Sequence, residues 1–153
     1  VHQIGRTDYS QVKLSYQQIR QKYPWLSIHD HEFLFDMPER YSWADLVICR
    51  AGASTVAELI ALQKPALFIP LPTAADDHQT ANAKVLVEAG GALMCRQADL
   101  TPERLAQEVI QLQQNPERLA QMRLQLKKLE TPNAAERIAE LSLELLRAPC
   151  SGN

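Results

Sequence analysis

Short apolar runs alternate with stretches of helical periodicity along most of the chain. Such runs are typical of parallel strands covered on both faces, and they occupy residues 46–49, 66–70 and 92–95. Helical stretches follow the first two runs, over 55–62 and, with Asp76 or Asp77 as the N-cap, up to residue 88. This alternation predicts an α/β fold, a Rossmann-like parallel sheet with helices on both faces.

The N-terminal segment continues the same alternation. Residues 1–4 are predicted to form a strand that begins within the fold, and residues 9–22 a helix that Pro24 ends. A second strand is expected over 27–32, followed by a helix with Asp36 as its N-cap.

The C-terminal part is predicted to be helical. Thr101 and Asn115 are each followed by Pro and Glu, which gives an N-cap residue, a proline at the first helical position and an acid in the first turn. These two signals predict helices that reach about residues 114 and 130. Asn133 and Glu136 form a capping-box pattern before a third helix, whose apolar stripe is Ile138, Leu141 and Leu145. We expect one domain over 1–147 and a frayed tail over 148–153.

Composition narrows the function classes. A chain of 153 residues with a formal net charge of −2 lacks the basic footprint of a nucleic-acid-binding protein. No apolar run approaches the ~18 residues of a membrane span, and nothing at the N-terminus of this sequence resembles a signal peptide. Cys49, Cys95 and Cys150 lack ligand or framework spacing, so free thiols in a reducing cytoplasm are expected.

A turn of small residues, Arg50-Ala51-Gly52-Ala53-Ser54-Thr55, connects the strand at 46–49 to the next helix. Such a turn presents backbone N–H groups and a helix dipole to a phosphate, and bulkier side chains would block its approach. Glu58 lies about one helical turn further on, where a carboxylate could accept hydrogen bonds from ribose hydroxyls. The alternatives are a purely structural turn and a glutamate that favours the helix dipole.

Polar side chains follow the strand at 66–70, at the edge where ligands of open α/β sheets collect. Gln79 and Asn82 carry amides that suit sugar hydroxyls, and His78 is their neighbour. Helix capping and loop solvation are the structural alternative, and Asn82 is more often a residue that ties a loop down. His2, His29, His31 and His78 show no ligand geometry.

The segments CRAGASTVAEL, KPALFIPLP and DDHQTANA resemble the C-terminal domain of the MurG glycosyltransferases. VHQIG, EFLFDMPERYSWADL and EAGGALMCRQADLT extend the similarity over nearly the whole chain. That family transfers N-acetylglucosamine from UDP-N-acetylglucosamine to lipid I, which gives lipid II. The resemblance implies the C-terminal half of a two-domain GT-B enzyme. The family's N-terminal acceptor-binding domain and GGSQGA-type turn are absent from these residues.

The resemblance implies a substrate-binding role for particular residues. The uracil would pack on Phe33, Leu34 and Met37, and the ribose would bind Glu58. The pyrophosphate would lie over the turn, beside Arg50, and the sugar near Gln79. Arg50 could instead form a salt bridge with Asp45 or Glu58. The full expected set is Phe33, Leu34, Met37, Arg50, Gly52, Ala53, Ser54, Thr55, Glu58, His78, Gln79 and Asn82.

The implied reaction inverts the anomeric carbon. A base from the N-terminal domain would deprotonate the lipid I hydroxyl, and the helix N-terminus would stabilise the leaving UDP. No catalytic residue, cofactor or metal is expected in this chain, which would be inactive alone. Its partners would be UDP-N-acetylglucosamine and, through the N-terminal domain, lipid I, with no nucleic acid. The full-length enzyme would be peripheral on the cytoplasmic face of the bacterial inner membrane, and only it would contact the membrane.

Two other functions remain open from the sequence. The chain could be a split-enzyme subunit that needs a separate acceptor-binding partner. It could also be a nucleotide-sugar binding module without transferase activity. Detectable hydrolysis or transfer by the isolated chain would exclude the second of these. Loss of an opening strand would also leave a sheet edge prone to association.

Overall fold

The computed structural model describes residues 1–73, 77–130 and 133–147, without the side chains of residues 145 and 147. The chain divides into two compact units, Val1–Arg40 and Tyr41–Asn153. The tail at 148–153, with Cys150, lies outside the described residues.

The first unit contains two short parallel strands and one long helix. Strands β1 (His2–Gln3) and β2 (Asp30–His31) pair with His2 opposite Asp30 and Gln3 opposite His31. Helix α1 spans Tyr9–Lys22, as predicted. Arg20 on this helix donates to the Ile28 carbonyl at 2.9 Å and pairs with the Asp30 carboxylate, which lowers the pKa of Asp30. These contacts fix α1 against the segment that leads into β2.

The second unit is built on a three-stranded parallel sheet. Its strands are β3 (Val47–Cys49), β4 (Ala66–Phe68) and β5 (Ala92–Met94), in the order β3–β4–β5. All three residues of the central strand β4 are buried, which explains its uniformly apolar sequence. The parallel pairing in both units, with helices on both faces, confirms the predicted fold class.

Six further helices complete the described chain. Helix α2 bridges the boundary of the two units, and a 3₁₀ turn at Gln97–Asp99 precedes α5. As predicted, Thr101 and Asn115 cap α5 and α6 by accepting from the backbone N–H of Arg104 and Arg118, at 3.2 and 3.0 Å. The helices are α2 (Met37–Trp43), α3 (Ala53–Ala61), α4 (His78–Glu88), α5 (Pro102–Gln113), α6 (Pro116–Leu129) and α7 (Ala134–Arg147).

The core of the second unit lies between the sheet and these helices. Its largest fully buried side chains are Phe68, Leu59, Leu67, Leu86, Leu112 and Leu126. Gly91, which follows α4, is also buried. A Cβ atom at Gly91 would lie 2.5 Å from Leu126 Cδ2, so only glycine lets α6 approach this closely.

Of the two predicted aspartate caps, the one on α4 differs from the structure. Asp77 is the N-cap residue of α4, but its side chain makes no capping hydrogen bond because its backbone is left-handed, with φ 52°. Asp76, the alternative cap, lies outside the described residues. Asp36 precedes α2, and its carboxylate pairs with Arg40 Nη2 at 2.8 Å.

No helix in the described ranges is long and apolar enough to cross a membrane. Within the same ranges, no group of three or more His, Cys, Asp or Glu side chains could hold a metal ion. Cys49 and Cys95 are free thiols, as predicted. Burial raises the pKa of Cys49 to about 12, so this thiol stays protonated and unreactive at neutral pH.

Candidate functional site

The turn between β3 and α3 leaves the first turn of α3 open to a ligand. Gly52 is the N-cap residue of α3 and has no side chain with which to cap it, so first-turn N–H groups lack an intrahelical partner. Its backbone is extended, with φ −65° and ψ 148°, and a Cβ atom there would meet nothing closer than Thr55 Oγ1 at 3.8 Å. Neither backbone nor packing requires glycine here. The absent side chain leaves room above the turn for a ligand.

A side-chain hydrogen bond from Asn82 holds this turn in place. Its side-chain Nδ2 donates to the Ala51 carbonyl at 3.1 Å, and Ala51 is fully buried. Asn82 belongs to the second turn of α4, so the bond connects the N-terminal part of α4 to the turn before α3. The contact agrees with the structural interpretation of Asn82, as a residue that ties a loop down.

Arg50 and Gln79 hold the loop that follows β4. Arg50 Nη1 donates to the carbonyls of Ile69 and Pro70, at 2.9 and 3.1 Å. Gln79 Oε1 accepts from the Leu71 N–H at 3.0 Å. The guanidinium and the amide therefore order the loop at the carboxyl end of β4, beside the turn.

Arg50 does not form the salt bridge that was one of its predicted alternatives. Asp45 pairs instead with Arg123, whose Nη2 lies 3.0 Å from Asp45 Oδ1. Arg50 remains exposed, and a guanidinium has five N–H donors, so its carbonyl contacts leave donors for a phosphate.

Glu58 lies on α3, one turn beyond the small residues. It is exposed and is the sixth residue of the helix, which has no acidic residue in its first turn. A carboxylate in the second turn gains little from the helix dipole, because that effect fades within the first turn. The dipole interpretation of Glu58 is therefore weaker than the sequence indicated.

Tyr41 is a site residue that sequence reasoning missed. It is buried, with 6% of the residue exposed. Burial, followed by the nearby Glu58 carboxylate, raises the pKa of Tyr41 to about 12. The available signal was a tyrosine in the segment before the turn, since a buried phenol usually finds a hydrogen-bond partner.

The predicted uracil residues belong to the first unit. Leu34 is buried there, and its N–H donates to Gln3 Oε1 at 2.9 Å. Phe33 is 57% exposed and packs edge-on against Phe35, with ring centroids 4.8 Å apart. Met37 is half-buried at the start of α2. The exposed Phe33 ring is available for stacking, whereas the Leu34 side chain belongs to the core of its unit.

His78 is the first residue of α4 and is exposed. Ala53, Ser54 and Thr55 are the first three residues of α3, as the predicted turn requires. The second unit thus brings together the turn, Arg50, Glu58 and the start of α4.

An open parallel sheet with an uncapped helix N-terminus beside its carboxyl edge is typical of nucleotide-binding α/β domains. Residues 1–138 match the model of the glycosyltransferase family 28 C-terminal domain. The chain belongs to this family, which confirms the relationship that its motifs predicted.

Two similar proteins carry the same name. UDP-N-acetylglucosamine–N-acetylmuramyl-(pentapeptide) pyrophosphoryl-undecaprenol N-acetylglucosamine transferase of Shewanella denitrificans is 41% identical over 146 residues, which is 95% of this chain and 39% of that protein. The Myxococcus xanthus transferase of the same name is 43% identical over 146 residues, covering 95% of this chain and 37% of its own length. The chain thus spans about two fifths of these relatives.

A solved structure agrees with these relatives. The crystal structure of Acinetobacter baumannii MurG matches 94% of this chain with a TM-score of 0.83 at 39% identity. The match covers 42% of the MurG chain. The fold and the family are thus established together.

Proposed function

We propose that this chain is the donor-binding domain of a glycosyltransferase that takes N-acetylglucosamine from UDP-N-acetylglucosamine. The observation that carries the proposal is the open turn at Gly52, with Glu58 one helical turn beyond it. The relatives are named as N-acetylglucosamine transferases, which favours this donor.

The turn supplies the pyrophosphate site. First-turn N–H groups of α3 donate to the phosphate oxygens, and the positive end of the helix stabilises charge on the leaving UDP. Arg50 adds a guanidinium beside the turn while it holds the β4 loop. A site fixed in advance in this way stabilises the leaving group without reorganisation during the reaction.

The remaining proposed contacts bind the nucleoside and the sugar. Glu58 accepts hydrogen bonds from the ribose hydroxyls. The expected uracil contacts, Phe33, Leu34 and Met37, belong to the first unit and stay a prediction. His78 and Gln79 lie at the start of α4, where the sugar extends beyond the phosphates. Gln79 retains its amide NH₂ group as a donor, because its contact to Leu71 uses the carbonyl oxygen.

Acceptor binding and proton transfer come from outside this domain. In the full-length protein the acceptor is lipid I and the product is lipid II, as the names of the relatives favour. The lipid acceptor places the reaction at the cytoplasmic face of the bacterial inner membrane, which the full-length protein contacts peripherally.

Isothermal titration with UDP-N-acetylglucosamine, UDP-glucose and UDP tests the proposal. We expect binding of all three, with UDP-N-acetylglucosamine preferred over UDP-glucose. Glu58→Ala should weaken binding about tenfold, because a hydrogen-bonded charged group contributes ~1.5–3 kcal/mol. Glu88→Ala is the matched control, since Glu88 is also exposed but ends α4, away from the proposed site. If the unaltered chain binds none of the three, this function is wrong.

A further inference from the structure

We infer that the turn at residues 23–26 binds the surface of an anionic lipid bilayer, with Trp25 inserted at the level of the headgroups. The turn lies in the first unit, between α1 and β2, and contains none of the residues proposed to bind the nucleotide. The inference goes beyond the proposed function and rests on it only in expecting a membrane near the full-length protein. It assigns a membrane contact to this chain itself, which the sequence did not predict.

The turn exposes three large apolar or aromatic side chains next to one another. Trp25 is 80% exposed, and Tyr23 and Leu26 are 38% and 41% exposed. The Trp25 and Tyr23 rings meet edge-on, with centroids 6.0 Å apart, so they form one continuous surface. A contiguous exposed apolar patch indicates an interaction site. Trp and Tyr are enriched where proteins meet the membrane–water interface, because each has an apolar body and a polar group.

The backbone holds these side chains in a defined position. The Leu26 N–H donates to the Tyr23 carbonyl at 3.0 Å, which closes a β-turn. Pro24 occupies the second position of this turn, where its fixed φ is favourable. Beyond the turn, Arg20 Nη2 donates to the Ile28 carbonyl at 2.9 Å and so fixes the chain against α1. A surface that is ordered in advance loses little conformational freedom when it binds.

The charge at the turn is complementary to anionic headgroups. Residues 21–29 contain no Asp or Glu, and Lys22 directly precedes the turn. The Lys22 Nζ lies 5.2 Å from the centroid of the Tyr23 ring, and Lys22 forms no ion pair within the described ranges. Asp30, the carboxylate closest to the turn along the chain, pairs with Arg20. The lysine stem can therefore cover the ring while its ammonium binds a lipid phosphate.

A lipid surface fits this turn better than a protein partner does. A stable protein interface buries ~1,200–2,000 Å² in total, which is far more than a single four-residue turn presents. A bilayer needs no complementary shape, and an exposed aromatic ring beside a lysine is sufficient to reach its headgroup layer. The proposed lipid acceptor also brings the full-length protein to a membrane.

Tryptophan fluorescence of the whole chain tests the inference. The chain has two tryptophans, so Trp43→Phe leaves Trp25 as the reporter. Trp25→Phe leaves Trp43, which is 71% exposed in the second unit and serves as the matched control. With vesicles of equal parts phosphatidylglycerol and phosphatidylcholine, the Trp25 emission should shift to shorter wavelength, and brominated lipids should quench it. The Trp43 emission should stay unchanged.

Vesicle sedimentation measures what each side chain contributes. Trp25→Ser should lower the lipid partition coefficient about tenfold, because the ring no longer leaves water. Lys22→Gln should lower it about fivefold on the anionic vesicles and leave binding to pure phosphatidylcholine unchanged. Phe35→Ser is the control for an exposed ring, since Phe35 is 90% exposed in the same unit but follows β2 instead of preceding it. Its partition coefficient should match that of the unaltered chain.

Three results would overturn the inference. The unaltered chain could fail to bind the anionic vesicles, or Trp25→Ser could leave that binding intact. A Trp25 emission shift that grows with protein concentration in the absence of lipid would assign the turn to contact with a second copy of the chain. Titration with UDP in the absence of lipid tests the proposed function separately, because these substitutions leave the proposed nucleotide contacts unchanged.

Discussion

The Asn82 side-chain amide donates a hydrogen bond to the Ala51 carbonyl at 3.1 Å, which links the second turn of α4 to the turn before α3. Ala51 is fully buried, so its carbonyl has little access to water. One side chain therefore both satisfies a buried acceptor and fixes the turn over which we place the pyrophosphate.

Asn82→Ala should destabilise the second unit by about 1–3 kcal/mol. The substitution leaves the buried Ala51 carbonyl without its donor, and the desolvation cost of an unsatisfied group is of that size. Urea denaturation followed by circular dichroism measures the change. Ala81→Ser, an exposed change one residue earlier on α4, is the control and should stay within ~0.5 kcal/mol. Equal stability of both variants would show that the bond contributes nothing.

Local signals predicted most of the fold. The caps at Thr101 and Asn115 act on N–H groups three residues later, and apolar runs identify buried strands wherever the partners lie. Strands β3, β4 and β5 all fall inside the predicted runs, though each is shorter because strand ends depend on pairing with neighbours.

The sequence could not predict the contacts that order the site. Asn82 and Ala51 are 31 residues apart, and Arg50 lies 19 and 20 residues from the carbonyls it binds. Residue types indicated that Arg50 could pair with a carboxylate, yet they carry no information on which carbonyls the loop brings near. Tyr41 was missed for the same reason, because its burial and the nearby Glu58 charge that raise its pKa arise only in the folded chain.

Gln63→Gly should stabilise the second unit by about 0.5–1 kcal/mol. Gln63 follows α3 with φ 51°, and the N–H groups of Gln63 and Lys64 bond the Ile60 and Leu59 carbonyls, at 3.0 and 2.9 Å. This is the left-handed helix ending that normally carries glycine, because a Cβ atom is strained there. The denaturation midpoint in urea measures the gain. A lower midpoint would mean that the 3.4 Å contact of Gln63 with Glu130 outweighs the relief of strain.

Stability should fall as pH rises from about 9 to 12. The pKa values of Tyr41 and Cys49 are raised in the folded chain to about 12, from ordinary values of 10.0 and 9.0. In this range the unfolded chain loses these protons first, so each group lowers stability with a slope of up to ~1.4 kcal/mol per pH unit. Below about pH 8 both groups are protonated in either state, and their contribution is constant.

Urea denaturation at several pH values between 8 and 12 measures this dependence. Tyr41→Phe should flatten the curve between pH 10 and 12, because phenylalanine does not ionise. An unaltered slope in Tyr41→Phe would contradict the raised pKa. In Glu58→Gln, absorbance titration should find a lower pKa for Tyr41, because the neighbouring negative charge is gone.

Two glycines of the second unit should respond oppositely to alanine. Gly52→Ala should keep stability within about 1 kcal/mol, because φ is ordinary and the new Cβ meets only Thr55 Oγ1 at 3.8 Å. It should nevertheless weaken UDP binding about tenfold, or ~1.4 kcal/mol, because the methyl group occupies the space of a phosphate oxygen. Gly91→Ala should cost ~1–3 kcal/mol of stability, because its Cβ would overlap the buried Leu126 side chain.

Urea denaturation and UDP titration on both variants separate the two roles. The fraction of Gly91→Ala that stays folded should bind UDP with nearly wild-type affinity, since Gly91 follows α4 at the end opposite His78. Normal UDP affinity in folded Gly52→Ala would contradict the proposed position of the pyrophosphate over the turn. The central step of the proposed function would then be wrong. Unfolding of Gly52→Ala would mean that the fold itself requires glycine at this position. The stabilities and UDP affinities of the two variants together therefore test whether the open space at the N-terminus of α3 binds a ligand.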